Sequence, residues 1–310
     1  MARCQTVGVS GYFAADSMVV RAMRQRVVGL SWGQRALVIG GLHPRLFVGT
    51  AQHTVHRATP YTRLALTARL METVFLGTKE EADRALAFTA KRHVPVAGTM
   101  EVPGGPAHPE GSPYSAADPG LMWWTAAFAL DSVEFMYDAL VRPLRPDERE
   151  ELFDGFVTWA GLFGMPASAA PASYPDFRRR FDAWLTSDEP YLVDEARLVG
   201  RHIAGTAGYH LPGGPPTSET LRTVVQGSLP ALVREHYGIP WSAAAERRWR
   251  AVRTASRLAH GRLSLLGPTP LLRGRSEHFY KVVQQGEQAL VRRGGVSIPG
   301  VSDVSDVRRA

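Results

Sequence analysis

The sequence predicts a mainly α protein, a single helical domain, and three observations carry that prediction. Apolar residues recur at steps of three and four over long segments, the spacing that lines one face of a helix. Those segments open on helix-start chemistry: Pro60 and Pro146 suit first helical positions, and Thr78 with Glu81 three residues on forms a capping box. No stretch sustains the alternation of a half-buried strand, and no internal repeat is found. The 310 residues are enough for a sizeable core, assigned as one domain over 1–293 with a flexible tail over 294–310.

In chain order, Ser17 stands where it would cap a first helix, SMVVRAMRQRVVGL. Residues 33–50 are apolar enough to be buried on most sides, with Gly40, Gly41 and Pro44 marking a break or a close approach of backbones. Residues 51–59 carry His53 and His56, and the helical hairpin described below follows. After Gly98, VPGGPAHPEGSP reads as a loop. A long helix opens near Pro119, and Trp123, Ala127, Leu130 and Met136 with their neighbours make it apolar nearly all round, as a central core helix would be. The helix opened by Pro146 has an acidic first turn, which the positive end of the helix dipole favours. Helices over DFRRRFDAWLTS and EPYLVDEARLVGRHIAG come next, and GYHLPGGPPTS is a second loop. Helices at 219–237, 242–260 and 276–292 complete the set, with GPTP between the last two. The tail GGVSIPGVSDVSDVRRA reads as disordered or loosely packed.

The stretch 60–98 organises the chain. Over 61–76, Leu64, Ala68, Met71 and Phe75 recur at helical spacing, and Gly77 suits a left-handed cap. From Lys79, the positions Ala82, Leu86 and Thr89 lead by helical steps to His93, which would continue the buried stripe of its helix. So short a linker makes the two helices antiparallel. Arg63 and Thr67, one turn apart on one face, then lie about as far before the turn as His93 lies after it, roughly 20 Å at ~1.5 Å per residue. One histidine, one arginine and one threonine meet at the same end of a hairpin, a candidate pocket.

Composition excludes several classes. Lys+Arg number 36 against 29 Asp+Glu, yet Lys79, Lys91 and Lys281 are the only lysines. The positive charge is arginine spread along apolar helical faces, as at Arg178–Arg180 and Arg247, Arg248 and Arg250, and reads as solvated. No nucleic-acid motif accompanies it, so no nucleic-acid partner is assigned. Cys4 is the one cysteine, which rules out an intrachain disulfide, a Cys-based zinc site or an iron–sulfur cluster and fits a reducing cytoplasm. The N-terminus lacks the charged-then-apolar pattern of a signal peptide. The apolar run 119–130 falls short of the ~20 residues a membrane span needs, so no membrane insertion is expected. There is no P-loop, G-x-G-x-x-G, G-x-S-x-G or H-E-x-x-H, and no Glu stands three residues before a His as a di-iron bundle requires. Haem held by one imidazole remains open to such a chain.

The ordered motifs RALVIGGLHPRLFVG, P-TRLALT, FLGTKEEA, RHVPVAG, YSAADPGLMWW, LFGMP and LPALVREHYGIPW resemble the MpaB-type oxygenase family over about residues 13–241. That family is related to the latex-clearing protein that cleaves rubber and to a fungal enzyme of mycophenolic acid biosynthesis. The resemblance implies a globin-related helical core binding haem b, with dioxygen and an apolar, alkene- or isoprenoid-containing small molecule as reaction partners. By position, it implies His93 as the axial ligand of the iron, and Arg63 and Thr67 as the distal arginine and threonine. Two departures stand out: Leu66 occupies a position held by lysine in rubber-cleaving relatives, and Ala126 replaces a histidine common after the D-P motif.

Each of these residues also has a plainer role open to it. His93 is a haem ligand or a hydrogen-bonded core histidine. Arg63 orders dioxygen, grips a haem propionate, or pairs with Glu72 or another carboxylate. Thr67 donates to a distal oxygen or back-bonds to the carbonyl one turn earlier. His53 and His56 share a helical face, but two histidines without a carboxylate make a weak metal site. Trp123, Trp124 and Phe128 form core or line a substrate channel. Three functions follow: a haem oxygenase of apolar molecules, a haem enzyme of other chemistry (hydroxylase, peroxygenase or redox-neutral rearrangement), or a haem-free helical interaction protein.

Overall fold

The computed structural model describes residues 11–205, 214–264, 270, 272–298 and 301. Helices dominate it, in the order α1 (Met18–Met23), α2 (Arg26–Gly29), α3 (Trp32–Gly40), α4 (Pro44–His53), α5 (Pro60–Leu76) and α6 (Lys79–His93). After a small hairpin come α7 (Pro119–Leu140), α8 (Pro146–Leu162), α9 (Tyr174–Leu185), α10 (Asp194–Ile203), α11 (Gly214–Ser228), α12 (Ala231–Tyr237), α13 (Ala243–Ser264) and α14 (Glu277–Arg292). The hairpin pairs β1 (Ala97–Thr99) antiparallel to β2 (Pro113–Ser115), with Gly98 opposite Tyr114. Three-residue strands carry too little pattern to be read from sequence. The protein is mainly α, as its sequence predicts.

The centre is α7. Its apolar circumference packs against α1, α2, α3, α4, α8 and α13, and the Asp118 carboxylate caps its start by accepting from the N–H groups of Gly120 and Leu121 at 2.8 and 3.1 Å. Trp123, Trp124 and Phe128 are all buried in the core, as one of their two readings had it. The charges buried beside α7 are paired: Asp131 accepts from both Arg35 and Arg178, the latter at 2.5 Å. Arg178 is therefore not the solvated charge its sequence suggests. The packing of its helix, α9, brings it to the carboxylate that α7 buries.

Several elements differ from the sequence reading, each for a local reason. The first helix is two, because the backbone at 24–26 pairs elsewhere: Arg26 N–H donates to the Leu272 carbonyl and Gly274 N–H to that of Arg24, both at 2.9 Å. The Ser17 hydroxyl donates to the Ala14 carbonyl and does not cap α1. The helix expected over 219–237 starts earlier and breaks at Pro230, whose missing N–H starts α12 afresh. Gly77 ends α5 in an extended conformation, with φ −84° and ψ 174°, since the next residue must already be the extended cap of α6. A side chain there would meet the Thr73 carbonyl oxygen at 2.5 Å, which is why glycine stands at that position. Ile298, within the segment read as a loose tail, is buried, and the Ser297 hydroxyl donates to Glu287. The start of the loop after 208, most of GPTP and residues 302–310 lie outside the described residues.

The layer that carries the candidate site is α5, packed on α6 along one flank and α14 along another. Carboxylates tie α5 and α14 together at both ends. Glu287 of α14 accepts from the backbone N–H groups of Tyr61 and Thr62 in the first turn of α5. Glu72 of α5 accepts from the Ser276 N–H at the start of α14. Each helix thus caps the other across more than 200 residues of sequence.

Candidate functional site

Pro60 occupies the first turn of α5, as expected, and the Thr78–Glu81 capping box opens α6. These two starts set the register of the three candidate residues. Arg63 lines a cavity of ≈ 100 Å³ whose other walls are Leu37, Phe47, Thr50, His56, Arg57 and Glu195, among others. Burial depresses the Arg63 pKa to about 10, against which the charge of Glu195 works only in part. Glu195 is already engaged: Arg57 donates to it through both oxygens, Nε–Oε1 being 2.6 Å. That pairing raises the Arg57 pKa, while Arg63 makes no hydrogen bond or ion pair with its side chain among the described residues. The pairing of Arg63 with Glu72 considered from sequence does not occur, because Glu72 caps α14.

Thr67, one turn further along α5, is exposed. The hydroxyls of Thr50, Thr73, Thr89 and Thr125 all donate to the carbonyl four residues back. Thr67 does not, and it has no other side-chain partner among the described residues. Its bland reading, back-bonding to its own helix, is thereby removed.

His93 is the last residue of α6 and is not part of a buried stripe. Along its face Ala82 is buried, Leu86 and Thr89 are half-buried, and His93 is exposed, followed by Val94 at 83 % exposure. The cause lies in packing: α6 rests on α5 near the turn, and its second half leaves the core. The imidazole makes no hydrogen bond or ring contact among the described residues. Enough protein surrounds the ring to lower its pKa below the ordinary 6.5 by desolvation, which favours the neutral form that can bind a metal. No described contact joins His93 to Arg63 or Thr67, and His93 does not line the Arg63 cavity.

The other sequence candidates resolve differently. α4 ends at His53, so His56 lies in the following loop and the two do not share a helical face. His53 Nε2 lies 3.2 Å from the Tyr114 hydroxyl and His56 Nδ1 3.4 Å from that of Thr59. No cluster of three or more His, Cys, Asp or Glu able to hold a metal occurs among the described residues. Leu66 is half-buried beside Thr67, and Ala126 is fully buried in α7. What sequence reasoning missed is the Arg57–Glu195 pair: its partners are 138 residues apart, and neither carries a local signal. No described helix is long and apolar enough to cross a membrane.

Comparison with curated proteins and with solved structures gives no match. A family model does match. It is described as ER-bound oxygenase mpaB/B'/Rubber oxygenase, catalytic domain, and covers residues 20–258, a span that includes Arg63, Thr67 and His93 and excludes α14. The chain belongs to this oxygenase family.

Proposed function

We propose that this oxygenase domain works with haem b and dioxygen on an apolar small molecule, alkene- or isoprenoid-containing, in the reducing setting that a lone cysteine fits. The observation that carries the reading is that Arg63, Thr67 and His93 all lack side-chain partners among the described residues. Arg63 is half-buried, and its guanidinium lines the cavity with no side-chain partner, in surroundings that lower its pKa by desolvation. A cation facing a cavity without a protein partner is placed to pair with a ligand that enters it.

In donor chemistry the residues suit the group, an imidazole for iron and a guanidinium and a hydroxyl for oxygen, although His93 lies outside the cavity that Arg63 lines. His93, whose lowered pKa favours the neutral imidazole and which has no side-chain partner among the described residues, would hold the iron. A haem bound there would supply the redox-active metal on which dioxygen chemistry depends. Arg63 brings a fixed positive charge and several N–H donors to a cavity large enough for a diatomic molecule with a water or two. Those donors would stabilise negative charge developing on an oxygen held in that cavity. Thr67 adds a hydroxyl proton not committed to its helix. Leu66 keeps the surface beside them apolar and offers no lysine amine to compete for the metal.

The test is the visible spectrum of protein expressed with haem precursor, oxidised and reduced, beside His93→Ala. The expected result is a Soret band in the parent protein that is lost in the variant, with the far-ultraviolet circular dichroism unchanged. A parent protein that stays colourless after haem is added removes the haem from the reading. A variant that retains full haem removes His93 as its ligand.

A further inference from the structure

On another flank of α5 lies a second cavity, of ≈ 230 Å³. Its α5 wall is Tyr61, Leu64, Ala65 and Ala68. At 3.6 residues per turn this stripe sits about 130° round the helix from Arg63 and Thr67, so the body of α5 separates it from the site proposed above. Gly33 and Gln34 of α3, Leu221 of α11, and Tyr280 and Val283 of α14 line the other sides, and the cavity is partly open to solvent. No charged side chain is among its described walls. A carboxylate or ammonium head placed there would be desolvated without a counter-charge.

The polar groups narrow the ligand further. The Tyr61 hydroxyl donates to the His202 carbonyl at 3.1 Å and that of Tyr280 to the Gly29 carbonyl at 2.8 Å, so both phenol protons are committed. Gln34 makes no side-chain hydrogen bond among the described residues. Thr217 is also among the walls but has a partner of its own, so the Gln34 amide is the uncommitted polar group among the described walls, and in a largely apolar cavity it can orient a single neutral oxygen. An apolar cavity of about 150 Å³ takes benzene, and in proportion this one takes about nine non-hydrogen atoms.

We propose that this cavity binds a compact aliphatic alcohol or ketone of about that size, its chain against α5 and α14 and its oxygen on the Gln34 amide. The α14 wall lies beyond residues 20–258, so recognition uses a part of the chain outside the matched catalytic domain. The inference does not depend on haem.

The probe is 1-octanol, titrated calorimetrically into the full-length protein, with octanoate as the charged control. Saturable one-site binding is expected, at least tenfold tighter for the alcohol, with Tm raised by about 3 °C near saturation. Ala65→Leu and Ala68→Leu, each taking up about a third of the cavity, should weaken binding at least tenfold, and either one that unfolds cooperatively suffices. Gln34→Leu removes the amide with only a small change in size and should weaken the alcohol about tenfold, the worth of one hydrogen bond. Arg63→Gln should bind octanol as the parent does. Absence of saturable binding by the parent, undiminished binding in a folded cavity-filling variant or in Gln34→Leu, or loss of binding in Arg63→Gln would each overturn the proposal.

Discussion

Arg63 lies in the field of Glu195 without pairing with it, because Arg57 takes both of that carboxylate's oxygens. Two guanidiniums therefore line one small cavity around one counter-charge. The arrangement ties a stability cost to a candidate catalytic group, and the two can be measured apart.

Arg63→Met should raise stability while lowering activity. A folded pKa near 10 lies below the ordinary arginine value of 12.5, so the folded state disfavours the cation. Below pH 10 the group is charged in both states, and the cost is constant across the neutral range. Removing it should stabilise the protein by about 1–3 kcal/mol, read by urea denaturation at pH 6 and pH 8 alike. Turnover with dioxygen should fall by roughly 10²–10³, the usual effect of losing one preorganised donor. A variant that is both less stable and fully active would return Arg63 to a structural role.

Thr67→Val keeps shape and removes only the hydroxyl. The side chain is exposed and unbonded, so stability should stay within about 0.5 kcal/mol of the parent. If the hydroxyl serves the reaction, kcat falls at least about tenfold, and Thr67→Ser recovers most of it. Unchanged kcat in Thr67→Val would end its catalytic assignment.

His43 should make the protein acid-sensitive. It is 3 % exposed, and burial, then the neighbouring His108 and Arg45, lower its pKa to about 3. Between that value and the unfolded value near 6.5, the unfolded chain binds a proton the folded one refuses. Stability from this group is thus complete above pH 6.5 and falls as pH drops, by roughly 3 kcal/mol at pH 4.5. His43 sits among Trp124, Phe128 and Trp184, so His43→Phe suits the site. Thermal melts from pH 4.5 to 7.5 should show a shallower decline in that variant. Parallel declines would mean that other groups carry the acid sensitivity.

Glu72→Ala and Glu287→Ala each remove one of the reciprocal caps between α5 and α14. Each should cost about 1–2 kcal/mol in equilibrium unfolding. Because both ties hold one helix pair, the double variant should lose less than the sum. Strict additivity would show that the two ends act independently.

Much of the helical order was legible because its signals are local. The Thr78–Glu81 box, Pro60, Pro119 and Pro146 each mark a helix start within a few residues, and all four stand in the structure. The breaks at Gln25 and within 219–237 were harder. At Gln25 the cause is a partner segment near residue 273, which no local pattern reveals. At Pro230 the signal was present but competed with a continuous apolar periodicity.

For the site, the sequence by itself determined which residue types stand at which helical positions: Arg63 and Thr67 one turn apart, and His93 at the end of the next helix. Family membership is likewise a property of the residue order. Only the tertiary structure decided what surrounds them. It placed Glu195 with Arg57 rather than Arg63, left Thr67 unbonded, and carried the second half of α6 out of the core so that His93 is exposed. Helical periodicity states which residues share a face. Whether that face is covered, and by which charge, depends on chain segments more than a hundred residues away, whose approach is set by packing.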